Sequence, residues 1–188
     1  MATMRAMVMT GVGGPQVLES AEIPMPVRAG AEVLVRVHAT SVNPIDVKTR
    51  AGRGAASAIR HYPVVLGYDI AGVVVESPYE SHALSPGREV YGVTLVPRLD
   101  GGYAEYAVVP ELFLTPKPGV LSMTEAAAVP LAALTAWGMV VDVARAHDGQ
   151  RMLIHAGAGG VGHFAVQLAA YFGATVTAAR LSGAVDVG

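Results

Sequence analysis

The stretch Gly157-Ala158-Gly159-Gly160-Val161-Gly162 has the clearest chemical meaning in this 188-residue sequence. It fits G-x-G-x-x-G, follows the strand-like run Met152-Leu153-Ile154, and opens a long apolar helix pattern. That setting, more than the pattern itself, gives it weight. In such a turn the first glycine, Gly157, permits a tight bend, the second, Gly159, lets a pyrophosphate approach the backbone, and Gly162 lets the helix pack closely on its strand. The helix N-terminus then offers unpaired N–H groups to phosphate. Residues 157–162 are therefore expected to bind a dinucleotide, largely through the main chain.

The choice of dinucleotide turns on the next strand, Thr175–Ala179, which runs into Arg180-Leu181-Ser182-Gly183. An Asp or Glu about 20 residues beyond the glycines would hold the ribose hydroxyls of NAD. No acid stands there, and Arg180 is placed to meet a 2′-phosphate through charge-assisted hydrogen bonds. NADPH is the expected cofactor; the other reading of Arg180 is a solvated arginine. The remaining inventory excludes more than it suggests. The sequence has no cysteine, and its six histidines, at 38, 61, 82, 147, 155 and 163, show no paired metal-ligand spacing. No Ser/His/Asp nucleophile arrangement is visible.

Elements must position these groups. Val161, Phe164, Ala165, Leu168, Ala169 and Phe172 form one apolar stripe at helical spacing, with Gly173 as a C-terminal cap. Upstream, short β-type runs separated by Gly and Pro, at Met4–Thr10, Glu32–Val42, Ile70–Glu76, Glu89–Thr94 and Tyr103–Val109, predict a small, mostly antiparallel barrel or sandwich. Between the two patterns, Ser122 to Glu125 reads as a capping box, Pro130 interrupts the helix it opens, and a second apolar helix runs toward Val143. The expected order is a β-rich domain over residues 1–118, then linking helices and a doubly wound parallel sheet over 119–188.

Composition agrees with that plan. Hydrophobic residues make up 52% and charged residues 15%, which suits an α/β protein with buried parallel strands. A net charge of −2 gives no general pull toward nucleic acid. Lys48, Arg50, Arg53, Arg60 and His61 are the one local basic excess, read either as a solvated loop or as a nucleic-acid contact, and no aromatic interleaving supports the second. No apolar run reaches membrane-span length, and the start lacks a signal-peptide core, so the expected location is cytoplasmic.

Five ordered blocks carry a family resemblance: SVNPIDVKTRAG (41–52), VLGYDIAGVV (65–74), GGYAEYAVVP (101–110), AAAVPLAALTAW (126–137) and HAGAGGVGHFAVQLA (155–169). In sequence and order they resemble the zinc-free quinone oxidoreductase branch of the medium-chain dehydrogenase/reductase superfamily. The resemblance implies a GroES-like substrate domain followed by a Rossmann domain, with NADPH and a quinone or enone in the cleft, and a homodimer when complete. It also implies that the positions holding catalytic zinc in related alcohol dehydrogenases are here Asn43, Tyr68 and Leu131, none of which is a plausible zinc ligand.

On the same resemblance, Asn43 offers an amide beside the nicotinamide and Thr135 a hydroxyl, both as donors that position the reacting groups. Their other readings are a turn residue before Pro44 and a helix hydroxyl satisfied within its helix. Lys48 either polarises a carbonyl or protonates an enolate, or is a solvated loop lysine. Tyr68 either lines the substrate pocket or only packs. Asp46 and Asp69 are expected to tie the loops down by accepting backbone hydrogen bonds. Without a Lewis acid, removing hydride from an alcohol is hard, whereas quinones and enones need less help, so hydride transfer to a conjugated acceptor is the expected reaction. The rival reading is a non-catalytic NADPH-binding, structural or RNA-binding relative.

After Arg180 only eight residues, LSGAVDVG, remain. A crossover to another parallel strand needs roughly 10–12 residues or more. The Rossmann domain is therefore expected to be incomplete in this sequence, which alone would show weak or no turnover.

Overall fold

A computed structural model describes residues 2–94 and 101–179, and these form two compact units that divide between Pro130 and Leu131. Arg180 and the segment after it lie outside the described residues.

The first unit is built from two antiparallel sheets. Strand β1 (Thr3–Met9) pairs with β2 (Leu18–Pro24) and with the short β4 (Val64–Val65) in the order β2-β1-β4. The larger sheet contains β3 (Glu32–Thr40), β5 (Asp69–Glu76), β6 (Glu89–Val93), β7 (Tyr106–Pro110) and β8 (Leu114–Pro116), ordered β7-β3-β5-β6-β8. Its curled core comes from β-branched and aliphatic side chains that share one face: Val33, Val35, Ile70, Val74, Val90, Val109 and Leu114, joined by Leu84 from a loop. Such residues suit a pleated, buried surface. Two register shifts in β3, at Leu34/Val35 and Val37/Ala39, let the strand bend as the sheet curls. The sequence reading found β1, β3, β5, β6 and β7 within a few residues. It missed β2, whose Leu18-Glu-Ser-Ala-Glu-Ile-Pro24 has one half-buried residue per pair of exposed ones at its start, and the very short β4 and β8.

The helix at Met123–Ala127, here α2, starts as its sequence dictates. Ser122 accepts the Glu125 N–H, and the Glu125 carboxylate takes the Ser122 N–H at 2.8 Å. Its Ala126 and Ala127 pack against Ala71 of β5, so this helix closes the second face of the first unit's sheet. A shorter helix, α1 (Pro44–Arg50), follows β3.

In the second unit, α3 (Pro130–Trp137) passes directly into a π-helical stretch, Gly138–Val143. Strand β9 (Arg151–His155), helix α4 (Gly162–Tyr171) and strand β10 (Thr175–Ala179) then form a βαβ unit, with β9 and β10 parallel from Arg151↔Thr175 to His155↔Ala179. The apolar stripe on α4 does what its spacing predicts: Ala165 and Ala169 are buried with Ala136 and Val140, and Val161, Phe164 and Leu168 join them over Met152, Ile154 and Val176. Gly173, with φ of 87°, ends the helix in the left-handed conformation that glycine tolerates. No helix among the described residues is long and apolar enough to cross a membrane.

Gly72 is a point of close approach between β3 and β5. A Cβ built there would overlap the Arg36 carbonyl oxygen of β3 and lie 2.9 Å from a Val35 methyl. Gly72→Ala must spread β3 from β5, at a cost of about 1–3 kcal/mol. Chemical denaturation should show that loss, and an unchanged midpoint would contradict this account of the sheet.

Candidate functional site

The first unit gathers its buried polar groups at one place. Asn43 stands at the N-cap of α1 with Asp46 three residues on, in the reciprocal arrangement of a capping box. The Asn43 N–H donates to Asp46 Oδ2 at 2.8 Å, and the Gly67 N–H donates to Asp46 Oδ1 at 2.9 Å. Both oxygens of one carboxylate are thus taken by backbone donors from two different loops, as expected for Asp46. Gly67 can serve because it has φ of 98° and carries no Cβ, which would otherwise press on the Tyr103 ring and its backbone nitrogen.

Asp69 takes side-chain donors. Asn43 Nδ2 donates to Asp69 Oδ2 at 2.7 Å, and the Ser41 hydroxyl donates to the same oxygen. Asn43 Nδ2 also donates to Ser41 Oγ at 3.0 Å. A carboxylate only accepts, so the atom of Asn43 facing it must be the NH2 group. The Asn43 amide is thus held inside the loop by two acceptors on the same side of its nitrogen.

Asn43, Asp46 and Asp69 are 8%, 3% and 1% exposed. Burial raises the Asp46 carboxyl above its ordinary range, against the opposing pull of its two N–H donors. Burial, and then the Asp46 carboxylate, push the Tyr103 hydroxyl well up. Tyr103 donates its O–H to the Ser41 carbonyl at 3.3 Å, and Thr40 donates to the Asp69 carbonyl at 2.6 Å. Ser41, Thr40, Gly67 and Tyr103 were not singled out from the sequence, although all but Thr40 lie inside the blocks that carried the resemblance.

Two other expected residues sit apart from this network. Lys48 is exposed on α1, as a solvated lysine would be. Tyr68 is 1% exposed, and burial raises its pKa. An open recess of about 610 Å³ in the same unit, lined by Met7, Leu18, His38, Thr40, Val42 and Tyr103 among others, includes neither.

In the second unit the glycine turn links β9 to α4. No glycine of the motif has positive φ; that strain falls on Ala156, at φ of 54°. Gly157 is needed for a reason other than the expected bend, because a Cβ there would lie 2.8 Å from Ala178 Cβ on β10. Gly162 is needed as expected, since a Cβ would overlap the Ala156 carbonyl oxygen where the helix meets the strand end. Gly159 is tight, with Ala156 O at 3.1 Å from such a Cβ, while at Gly160 a Cβ would meet nothing within 4 Å. Ala158, Gly159 and Gly160 are exposed, and the N-cap Val161 gives α4 no side-chain cap and the first turn no acid. The donor set fits an anion: bare main chain at an uncapped helix start. Thr135, also in this unit, is exposed and donates its hydroxyl to the Leu131 carbonyl at 2.7 Å, the within-helix bond of its alternative reading.

Comparison with known proteins follows the same lines. Residues 29–119 match the alcohol dehydrogenase GroES-like domain. The chain is 39% identical over 186 residues to a 2-methylene-furan-3-one reductase of Solanum lycopersicum, covering 95% of this chain and 47% of the relative. It is 39% identical over 163 residues to a mitochondrial NAD(P)H oxidoreductase of Mus musculus, covering 78% of this chain and 41% of that one. Among solved structures, the quinone oxidoreductase from Coxiella burnetii superposes with a TM-score of 0.87 at 38% identity, over 94% of this chain and 56% of that one. The chain thus spans about half the length of the proteins it matches.

Two stability experiments test this geometry. Gly162→Ala should destabilise the second unit by about 1–3 kcal/mol, while Gly160→Ala should leave the melting transition unchanged. Equal effects would refute the division of labour within the turn. Asp46→Ala strands two buried N–H donors and should cost about 2–5 kcal/mol. Because the folded-state pKa of Asp46 is raised, its contribution is full below the unfolded value of about 3.9 and declines as pH rises through the folded one. Asp46→Asn should lack that component, measured as the pH dependence of unfolding free energy.

Proposed function

Since this chain belongs to the quinone oxidoreductase branch of the medium-chain dehydrogenase/reductase superfamily, we propose that the complete protein is a metal-free oxidoreductase that uses NADPH to reduce a quinone or an α,β-unsaturated carbonyl. The observation that carries the cofactor half of this reading is Gly160, exposed in the turn with open space where a side chain would stand. Folding requires glycine at 157 and 162 but not at 160, so its bareness suits the approach of a ligand.

In this reading Gly157 to Gly162, with Ala158 and Val161, hold the pyrophosphate through backbone N–H groups at the start of α4. Arg180 holds the 2′-phosphate. Asn43 and Thr135 position the nicotinamide. NADPH supplies the hydride. Lys48, exposed on α1, is free to turn toward a substrate oxygen, and Tyr68 packs behind the loop that carries Asn43. Asn43, Tyr68 and Leu131 at the expected zinc positions support the metal-free reading, because an amide, a neutral phenol with a raised pKa and an aliphatic side chain make no zinc site. The names of the tomato and Coxiella relatives support the acceptor class, an enone or a quinone. A homodimer located in the cytoplasm completes the proposal.

The complete protein should bind NADPH more tightly than NADH. Arg180→Ala should weaken NADPH binding by about 1.5–3 kcal/mol and leave NADH nearly unaffected. Gly160→Val should abolish binding of both without altering the melting temperature. Steady-state assays with a quinone, an enone and a saturated alcohol, alongside elemental analysis, test the rest. Robust alcohol oxidation, one zinc per chain, or no NADPH oxidation with any conjugated acceptor would overturn it.

A further inference from the structure

In the loop 77–88, between β5 and β6, Leu84 alone is buried, and it joins Val33, Val35, Val74, Val90 and Val109 in the core of the five-stranded sheet. An aliphatic side chain on an otherwise exposed loop stays in a core only if its backbone is held. Two bonds hold it. The Ser77 hydroxyl donates to the Leu84 carbonyl at 2.5 Å, and the Leu84 N–H donates to His82 Nδ1 at 3.0 Å. The other nitrogen of that ring, Nε2, lies 2.5 Å from Glu111 Oε2 in the turn after β7.

These contacts fix the state of the ring. A backbone N–H can only donate, so Nδ1 carries no hydrogen, and a carboxylate only accepts, so Nε2 carries one. His82 is therefore neutral here, and the proton that would make it an imidazolium has a single place to go, the nitrogen that the Leu84 N–H already occupies. Bound there, it sets donor against donor at a residue 6% exposed, where a stranded N–H is costly. Other charges surround this end of the sheet, and the strand register brings four carboxylates to it. Glu111 meets the ring; Glu32 accepts the Ala29 N–H at 2.8 Å, Glu76 pairs with Arg28 at 3.4 Å, and Glu89 pairs with Lys117 at 3.1 Å. From its own loop Tyr79 packs on His82 at 84° with ring centroids 5.0 Å apart, and Glu80 and Arg88 are exposed.

We infer that His82 is an acid-sensitive latch on the loop 77–88. Neutral, it holds Leu84 in the core; protonated at Nδ1, it releases the Leu84 N–H while staying paired with Glu111, and the loop opens locally over the sheet. The Leu84 bond requires the neutral ring, so the latch is closed at high pH and is lost as pH falls.

The test uses the complete protein. Amide hydrogen exchange read by NMR and corrected for the intrinsic rate gives the protection of the Leu84 N–H at about pH 8 and about pH 5, the range across which histidine side chains change charge. In wild type it should fall by about 10-fold at the lower pH, the effect of losing one buried hydrogen bond. The Thr94 N–H, which donates to the Tyr68 carbonyl at 2.7 Å at the opposite end of the sheet, should keep its protection. His82→Asn supplies a side-chain oxygen able to accept from the N–H two residues on, and it cannot titrate. That variant should protect Leu84 equally at both pH values, whereas His82→Ala should protect it poorly at both. Nitrogen NMR of the wild-type ring should find Nε2 protonated and Nδ1 bare at the higher pH. Unchanged protection of Leu84 in wild type would overturn the inference, as would an equal fall in His82→Asn, an equal fall at Thr94, or a protonated Nδ1 at the higher pH. Should His82→Ala fail to fold, wild type and His82→Asn decide between the outcomes.

Discussion

A carboxylate taken out of water loses a hydration shell worth several kcal/mol even after the protein relaxes, and hydrogen bonds must replace it. Asp46 and Asp69, both almost fully buried, impose that requirement on the first unit. Meeting it brings together three stretches distant in sequence. The start of α1 supplies the Asn43 N–H and amide, the loop before β5 supplies the Gly67 N–H, and Ser41 at the end of β3 supplies its hydroxyl. Tyr103 closes the arrangement from a fourth stretch by donating to the Ser41 carbonyl. The two sheets create the space, but these bonds decide where residues 41–50 run within it. The loop that carries Asn43 is rigid for that reason, and a rigid loop is what an orienting side chain requires.

The second unit solves a different problem, the close approach of a helix to the end of a strand. Here the constraint is steric, and it sorts glycines of one motif into separate duties. Gly162 and Gly157 are filled against, respectively, the Ala156 carbonyl and the Ala178 methyl, whereas Gly160 faces open space. The unit also places a strained non-glycine residue, Ala156, immediately before the motif. Strain of this kind persists only where surroundings hold it, and the packing of Gly162 on the same carbonyl group does so.

Much of this was legible in advance because it is local. The capping box at Ser122 and Glu125, the helical stripe on α4, the cap at Gly173 and the short β-type runs of β3, β5 and β6 all follow from patterns within about a dozen residues. What sequence could not display was the pairing of side chains across long separations. Asn43 and Asp69 are 26 positions apart, and Ser41 and Tyr103 are 62 apart. Asp69 was expected to accept hydrogen bonds, as an aspartate beside a turn does, but nothing local announced that two side-chain donors would reach its carboxylate. Likewise the π-helical continuation of α3 has no spacing signal distinct from that of an ordinary apolar helix. The weak alternation of β2 carries little strand pattern, since half of that strand's neighbours are solvent.

The spent hydrogens at the site bear on the chemistry proposed for it. Reduction of a carbonyl-type acceptor leaves negative charge on oxygen, and donors aimed at that oxygen are the usual means of lowering the barrier. The Asn43 amide nitrogen donates to Asp69 and Ser41, and the Thr135 hydroxyl donates to Leu131. Each side chain thus spends donor capacity on holding its own loop or helix. Lys48, by contrast, is an exposed cation on α1. Its four-carbon stem gives reach without fixed aim. The side chains expected to orient the cofactor therefore use hydrogen bonds to hold themselves still.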